Sequence, residues 1–286
     1  MLRENRRIRE SAGSIRLVIN LVVALASEAR PLVRHFGLSQ DRVSRGFRVY
    51  TSGHIRLVVT GVGKLNAAAG VSFIAGQDGT PDQVWLNVGL GGHRDLVVGT
   101  GIVALKITDH SASRSWYPPR VAVLTPAGSQ VTTYELPVEH YPDDTVCEME
   151  ASAFYSYATR FSTAELVQCY KVISDNETTG VTAVDAPAAE TLIAGKLTEI
   201  AELCDTLDAL AGELTEHGDI GRYYARYLST WHFTASQQVQ LRELLRRLAV
   251  YGSVDRLATD SWRQYGNAKI LLKEMRGYLD SLPVRI

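Results

Sequence analysis

Short runs rich in Val, Ile and Leu alternate with helical stretches over the first two-thirds of the chain. Arg16 to Ala26 (RLVINLVVALA) is apolar throughout and predicts a buried strand. Phe47 to Thr51 and Ile55 to Thr60 flank Ser52-Gly53-His54 and predict a hairpin. Lys64 to Ala75 is Ala-rich and predicts a helix. Gln83 to Val88 predicts a strand ending at the glycine cluster Gly89-Leu90-Gly91-Gly92. Gly101 to Ile107, Val121 to Leu124 and Glu165 to Ile173 predict further strands, and Glu148 to Arg160 a helix. This alternation predicts an α/β fold, with a mixed, mostly parallel twisted sheet flanked by helices. Such sheets bind ligands at the carboxyl ends of their strands. Glu28, Asn87, Ser174 and Asp175 fall at such ends.

After about Thr182 the strand signals stop. Ala186 to Leu210 reads as one helix with Pro187 in its first turn. Ile220 to Thr230, Ser236 to Tyr251 and Asp260 to Leu282 follow at helical spacing, with Leu241, Leu244, Leu245 and Leu248 on one face. The expected organisation is a basic tail over 1–15, an α/β domain over 16–211 and a helical extension over 212–286.

Composition narrows the class. Hydrophobic residues make up 45% and charged residues 21% of 286, enough for a sizeable core. The formal net charge of −1 gives no overall attraction to nucleic acid or to a membrane surface, so neither is expected as a partner. The basic tail (Arg3, Arg6, Arg7, Arg9) reads as a solvated end rather than a binding arm. Cys147, Cys169 and Cys204 are odd in number and widely spaced, which argues against disulfides and a zinc site and for reduced cysteines in a cytoplasmic protein. No metal and no cofactor is expected. Leu17 to Ala26 has an arginine-rich approach like a signal peptide, but Ser27-Glu28-Ala29-Arg30 continues it as strand to helix.

Five short runs carry candidate chemistry. Gly61-Val62-Gly63-Lys64 lies between a strand and a helix. Its glycines allow backbone N–H groups to approach a ligand, although a tight turn alone explains them. Asn87 to Gly92 exposes backbone to a close neighbour, again with turn geometry as the plain reading. Glu148-Met149-Glu150-Ala151 sits at a predicted helix start, where glutamates are favoured without any function. Glu150 with Met149 also suits a sugar, whose hydroxyls meet the carboxylate and whose carbon face meets the thioether. Ser174-Asp175 ends a strand, as a cap or as an acid over a pocket. An acid there can deliver a proton or hydrogen bond to N7 of a purine as the glycosidic bond breaks. Glu28 supplies a second carboxylate to position water, the logic of glycoside hydrolysis.

In this order the runs, with Ala24 to Glu28, resemble the purine nucleoside phosphorylase superfamily, in its methylthioadenosine/S-adenosylhomocysteine nucleosidase branch. The resemblance spans residues 16 to about 205. It implies a partly closed mixed sheet, a homodimer or larger homo-oligomer, and a small-molecule purine nucleoside as substrate. It implies that Glu28 holds the attacking water, that Met149 and Glu150 contact the ribose, and that Asp175, oriented by Ser174, faces N7. Gly63 and Gly89 would line the site. Three departures stand out. Leu90 replaces the usual Ser or Thr. The segment before Glu148 is short, leaving Gln130 to Tyr134, with Thr132 or Tyr134, to meet the base. Asn87 stands where phosphorylases carry arginine, so water is the expected nucleophile. Arg94 and Arg114 are the residues that would restore phosphorolysis. A nucleoside-binding module without catalysis, its helical extension meeting a partner, is the remaining alternative.

Overall fold

The computed structural model describes residues 18–78, 83–121, 127–138, 140–141, 144–179, 184–218, 220–251 and 254–282. The chain divides into two compact units, Met1–Ala211 and Gly212–Ile286. The tail over 1–15 and most of the strand expected at Val121 to Leu124 lie outside the described residues.

The first unit is a mixed sheet of ten strands with helices on it. Strand β1 (Ile19–Val23) is buried at every position, as its unbroken apolar run requires. It leads into α1 (Ala26–His35). A short edge strand β2 (Ser39–Gln40) precedes β3 (Arg48–Ser52) and β4 (Ile55–Val59), which form the expected hairpin around Gly53 in the left-handed region at φ +57°. Helix α2 (Lys64–Asp78) follows. Then come β5 (Val84–Gly92), β6 (Gly101–Asp109), β7 (Arg114–Trp116), β8 (Ala127–Thr133) and β9 (Val146–Glu148). Helix α3 (Ala151–Ala158), β10 (Val167–Asp175) and α4 (Ala186–Ala194) complete the alternation.

β1 pairs in parallel with β4 and β5, and β5 in parallel with β10. The carboxyl ends of these four strands therefore share one edge. β6 pairs with β10 and β8, and β8 with β9, which returns to β5 through Gly92 and Cys147. Five strands, β5, β10, β6, β8 and β9, thus close into a circuit. Two apolar clusters lie on opposite faces of the sheet, one including Leu21, Leu86, Val88 and Val172, the other Val22, Trp85, Cys169 and Ile173. The alternation along β5 and β10 sends neighbouring residues to opposite clusters.

Several boundaries differ from expectation. The strand expected to end at Val88 runs on to Gly92, so the glycine cluster is strand and not turn. Each glycine there meets a close neighbour. A Cβ on Gly91 would lie 2.6 Å from Val146 Cγ1 and 3.1 Å from the Cys147 carbonyl. Glu148 closes β9 instead of opening a helix, and the helix begins at Ala151. β8 lies where only the polar run Gln130 to Tyr134 was singled out. The helix expected over Ala186 to Leu210 is broken at Gly195-Lys196, and α5 runs over Leu197–Gly218.

The second unit is helical, with α6 (Gly221–Thr230), α7 (Ala235–Val250), a single turn α8 (Val254–Leu257) and α9 (Ala268–Asp280). Thr234 caps α7 by accepting from the Gln237 N–H while Gln237 returns a bond to Thr234. Its own core holds Tyr227, Leu241, Leu245, Leu248, Leu271 and Met275. Tyr227 and Trp231 stack at 5.5 Å between ring centroids. Among the described residues no helix is long and apolar enough to cross a membrane.

Candidate active site

The shared strand edge gathers most of the predicted residues. Glu28 lies in the first turn of α1 and is buried. Its Oε2 accepts from the N–H groups of Ala24 (3.1 Å) and Leu25 (2.8 Å), which caps its own helix. Its Oε1 accepts from the Leu90 N–H at 3.2 Å. Leu90 therefore serves the carboxylate through its backbone, while its side chain packs with the apolar cluster of Leu86 and Val88. A Cβ on Gly89 would meet Lys171 Nζ at 3.3 Å and Glu28 Oε1 at 3.4 Å, so a bare α-carbon keeps these two groups in reach of one another. Burial raises the Glu28 carboxyl above its ordinary value, against the three backbone donors and the Lys171 charge.

Gly63 brings a distant segment to the same place. Gly61 and Gly63 adopt φ +91° and +100°, the left-handed region that β-carbons disfavour. The turn aims the Gly63 N–H at Glu150 Oε1, 2.8 Å away. Burial also raises the Glu150 carboxyl, up to about 7, with Lys171 opposing and Glu148 adding to the rise. Met149, beside it, is half-buried. Glu148 itself is committed to support. Its Oε2 accepts from the N–H groups of Glu150 (2.9 Å) and Ala151 (2.8 Å), and its Oε1 accepts from the Thr133 hydroxyl.

Lys171 joins these carboxylates, and the sequence reading assigned it no role. It is fully buried on β10, with Nζ 2.8 Å from Glu148 Oε2 and 3.9 Å from Glu150 Oε2. The short contact is an ion pair that engages at most one of the three ammonium N–H groups, so the ammonium keeps unused donors. The two glutamates raise its pKa against the burial that would lower it. The available signal was one lysine in the otherwise apolar run Tyr170 to Ile173, on the inward face of a strand buried throughout.

Three and four residues further along β10, the latter about 13 Å of strand away, stand Ser174 and Asp175, both buried. The Ser174 hydroxyl donates to Asp175 Oδ1, and the Tyr141 hydroxyl donates to Oδ2. Tyr141, also missed from sequence, comes from the segment between β8 and β9.

Other candidates lie elsewhere. The Thr132 hydroxyl is held by Thr145 at 2.9 Å, whereas Thr133, pointing the other way on β8, reaches Glu148 and the Ser152 N–H. Tyr134 packs its ring on His110 at 4.5 Å. Asn87 donates to the Val22 carbonyl at 3.0 Å, tying β5 to β1. Arg94 pairs with Asp95 at 2.9 Å, and Arg114 lies over the Trp116 ring at 4.9 Å. Lys64, beside Gly63, pairs with Asp109 at 3.0 Å. The three cysteines are free and buried. Among the described residues no cluster of His, Cys, Asp and Glu is suited to a metal.

No known protein-family profile and no curated protein matches the chain in sequence. Solved structures do match it in fold. A mutant of the Helicobacter pylori 5′-methylthioadenosine/S-adenosylhomocysteine nucleosidase, with 5′-methylthioadenosine in its active site, is 14% identical at a TM-score of 0.58, over 67% of this chain and 99% of its own. The futalosine hydrolase of Helicobacter pylori is 15% identical at 0.56, over 66% and 98%. The nucleosidase of S. pneumoniae, bound to a transition-state inhibitor, is 18% identical at 0.54, over 68% and 100%. The matches span nearly all of each neighbour and leave about a third of this chain without a counterpart in them. Over two-thirds of its length, then, this chain has the fold of the methylthioadenosine/S-adenosylhomocysteine nucleosidases.

Proposed function

We propose that the chain hydrolyses the N-glycosidic bond of a purine nucleoside, releasing free base and sugar. The reading rests on one observation: Glu28 and Glu150, one on β1's following helix and one after β9, share the buried Lys171 at the carboxyl edge of a sheet whose β10 ends in Ser174-Asp175. The neighbours in fold, two of them named for methylthioadenosine and one for futalosine, support the substrate class.

In this mechanism Glu150 accepts hydrogen bonds from ribose hydroxyls, with Met149 against the carbon face. Gly63 and Gly89 keep the backbone close. Asp175, oriented by Ser174, gives a proton or hydrogen bond to N7 as the bond to C1′ lengthens. Glu28 takes a proton from the water that attacks C1′, and its raised pKa suits a base. Lys171 has donors left to hold that water. The proton lost to Glu28 balances the one given at N7. We assign no part to Thr132, whose hydroxyl is already held by Thr145.

Water is favoured over phosphate as nucleophile. The one buried ammonium, Lys171, is already paired with Glu148 and lies beside Glu150, so the site offers a phosphate dianion no uncompensated positive charge. Arg94 and Arg114 are engaged with Asp95 and Trp116. We further propose a cytoplasmic protein, consistent with its three reduced cysteines, acting as a homodimer or larger homo-oligomer.

The test is incubation of purified protein with adenosine, inosine, methylthioadenosine and deoxyadenosine, with and without phosphate, following free base. Release without phosphate is expected, reduced at least a hundredfold by Asp175→Asn. Release that requires phosphate would identify a phosphorylase. Full release by Asp175→Asn would remove Asp175 as the acid. Nucleoside bound tightly without turnover would make the chain a binding module.

A further inference from the structure

We propose that Tyr141 is a built-in occupant of the base position, holding Asp175 out of use until a purine nucleoside displaces it. The proposal rests on the reading above, in which Asp175 addresses the purine. To act on N7, the acid must turn one oxygen and its proton toward the base. Here Oδ1 is turned to the Ser174 hydroxyl and Oδ2 to the Tyr141 hydroxyl.

The ring has a place made for it. Gly92, the last residue of β5, pairs with Asp175 on β10. A methyl group on Gly92 would overlap the Tyr141 ring and lie 2.6 Å from Asp175 Oδ2. The strand carries no side chain at the one position where the ring and the acid meet. The Tyr141 N–H also donates to Glu177 Oε1 at 3.3 Å, two residues beyond Asp175. The tyrosine is thus tied to the end of β10 by its backbone and by its hydroxyl, and it is only 5% exposed. A flat aromatic group with a polar edge on Asp175 is the description of a bound purine too. The two cannot occupy the same volume, so nucleoside binding requires the phenol to leave.

The latch is released by weakening the phenol's hold. Tyr141→Phe removes the hydrogen bond to Asp175 and keeps the ring, and its kcat/KM for base release from a purine nucleoside should rise about tenfold. Tyr141→Ala, which also clears the ring, should rise at least as far. A second readout uses the wild-type protein. Tetranitromethane followed by peptide mass mapping should leave Tyr141 unmodified in the free protein and nitrate it when adenosine or methylthioadenosine is saturating. An unchanged or lower kcat/KM in Tyr141→Phe, or equal protection of Tyr141 with and without nucleoside, overturns the latch. The double variant Tyr141→Phe with Asp175→Asn separates the two readings. If it loses base release while Tyr141→Phe alone shows no gain, Asp175 stands as the acid and the latch falls. If it releases base at the full rate, the acid assignment falls and takes the latch with it. If no nucleoside binds to any of these proteins by calorimetry, both are removed.

Discussion

Lys171 Nζ and Glu148 Oε2 lie 2.8 Å apart with both side chains 1% exposed, an ion pair sealed between β10 and β9. Glu148 also accepts from the N–H groups that shape the Glu150 turn and from the Thr133 hydroxyl. The pair therefore sets the charge of the site and also its backbone.

Removing the cation leaves Glu148 buried and unpaired, with Glu28 and Glu150 nearby. Lys171→Met should destabilise the fold by about 3–5 kcal/mol. Urea denaturation at pH 7 measures this. A loss below 1 kcal/mol would mean that the carboxylates take up protons and tolerate the change. Lys171→Arg, which keeps the charge, should lose less.

Glu150 links pH to substrate affinity. Its carboxyl is raised from 4.5 to about 7, so it is protonated below that value and charged above it. In the proposed mechanism it is the charged form that accepts from ribose hydroxyls, so KM for a ribonucleoside should fall as pH rises through about 7. Glu150→Gln should flatten the profile. The same rise opposes stability: the fold is free of this cost below pH 4.5 and carries it in full above about 7.

Asp109 behaves in the opposite sense. Its carboxyl is held down to about 2 by the Ala112 N–H, by Lys64 and by two serine hydroxyls, against burial that would raise it. Stability from this group is complete above pH 3.8 and is lost as pH falls toward about 2. Urea midpoints measured from pH 5 to pH 2 should drop in the wild type and drop less in Asp109→Asn.

Gly91 tests the closeness of β5 and β9. A Cβ there would sit 2.6 Å from Val146 Cγ1 and 3.1 Å from the Cys147 carbonyl. Gly91→Ala should cost about 1–3 kcal/mol, read from thermal unfolding. An unchanged midpoint would show that β9 shifts freely.

Local patterning carried much of the fold. β1, the hairpin around Gly53 and α2 follow from apolar runs and turn residues that act over a few positions. Gly89 to Gly92 looked like a strand's end because glycine is most often explained by turns. Its actual cause is long-range: Lys171, Glu28, Val146 and Tyr141 press on β5 from other segments. Of the site, Glu28, Glu150, Ser174 and Asp175 lie at strand ends or just after them, where position along the chain indicates role. Lys171 hid in an apolar run because its partner Glu148 is distant in sequence. Tyr141 has no local signature, since only folding brings it to Asp175. Thr132 and Thr133 differ by one step of strand alternation, and a register of one residue decides which reaches Glu148.

The circuit of β5, β10, β6, β8 and β9 bears on ligand choice in one more way. An open sheet can widen at its edge, whereas a closed ladder cannot let one member slide without breaking bonds on both sides. β10 lies between β5 and β6 in that ladder. The spacing from Lys171 to Asp175 along it is then a fixed gauge, and a molecule that engages both ends must match its length.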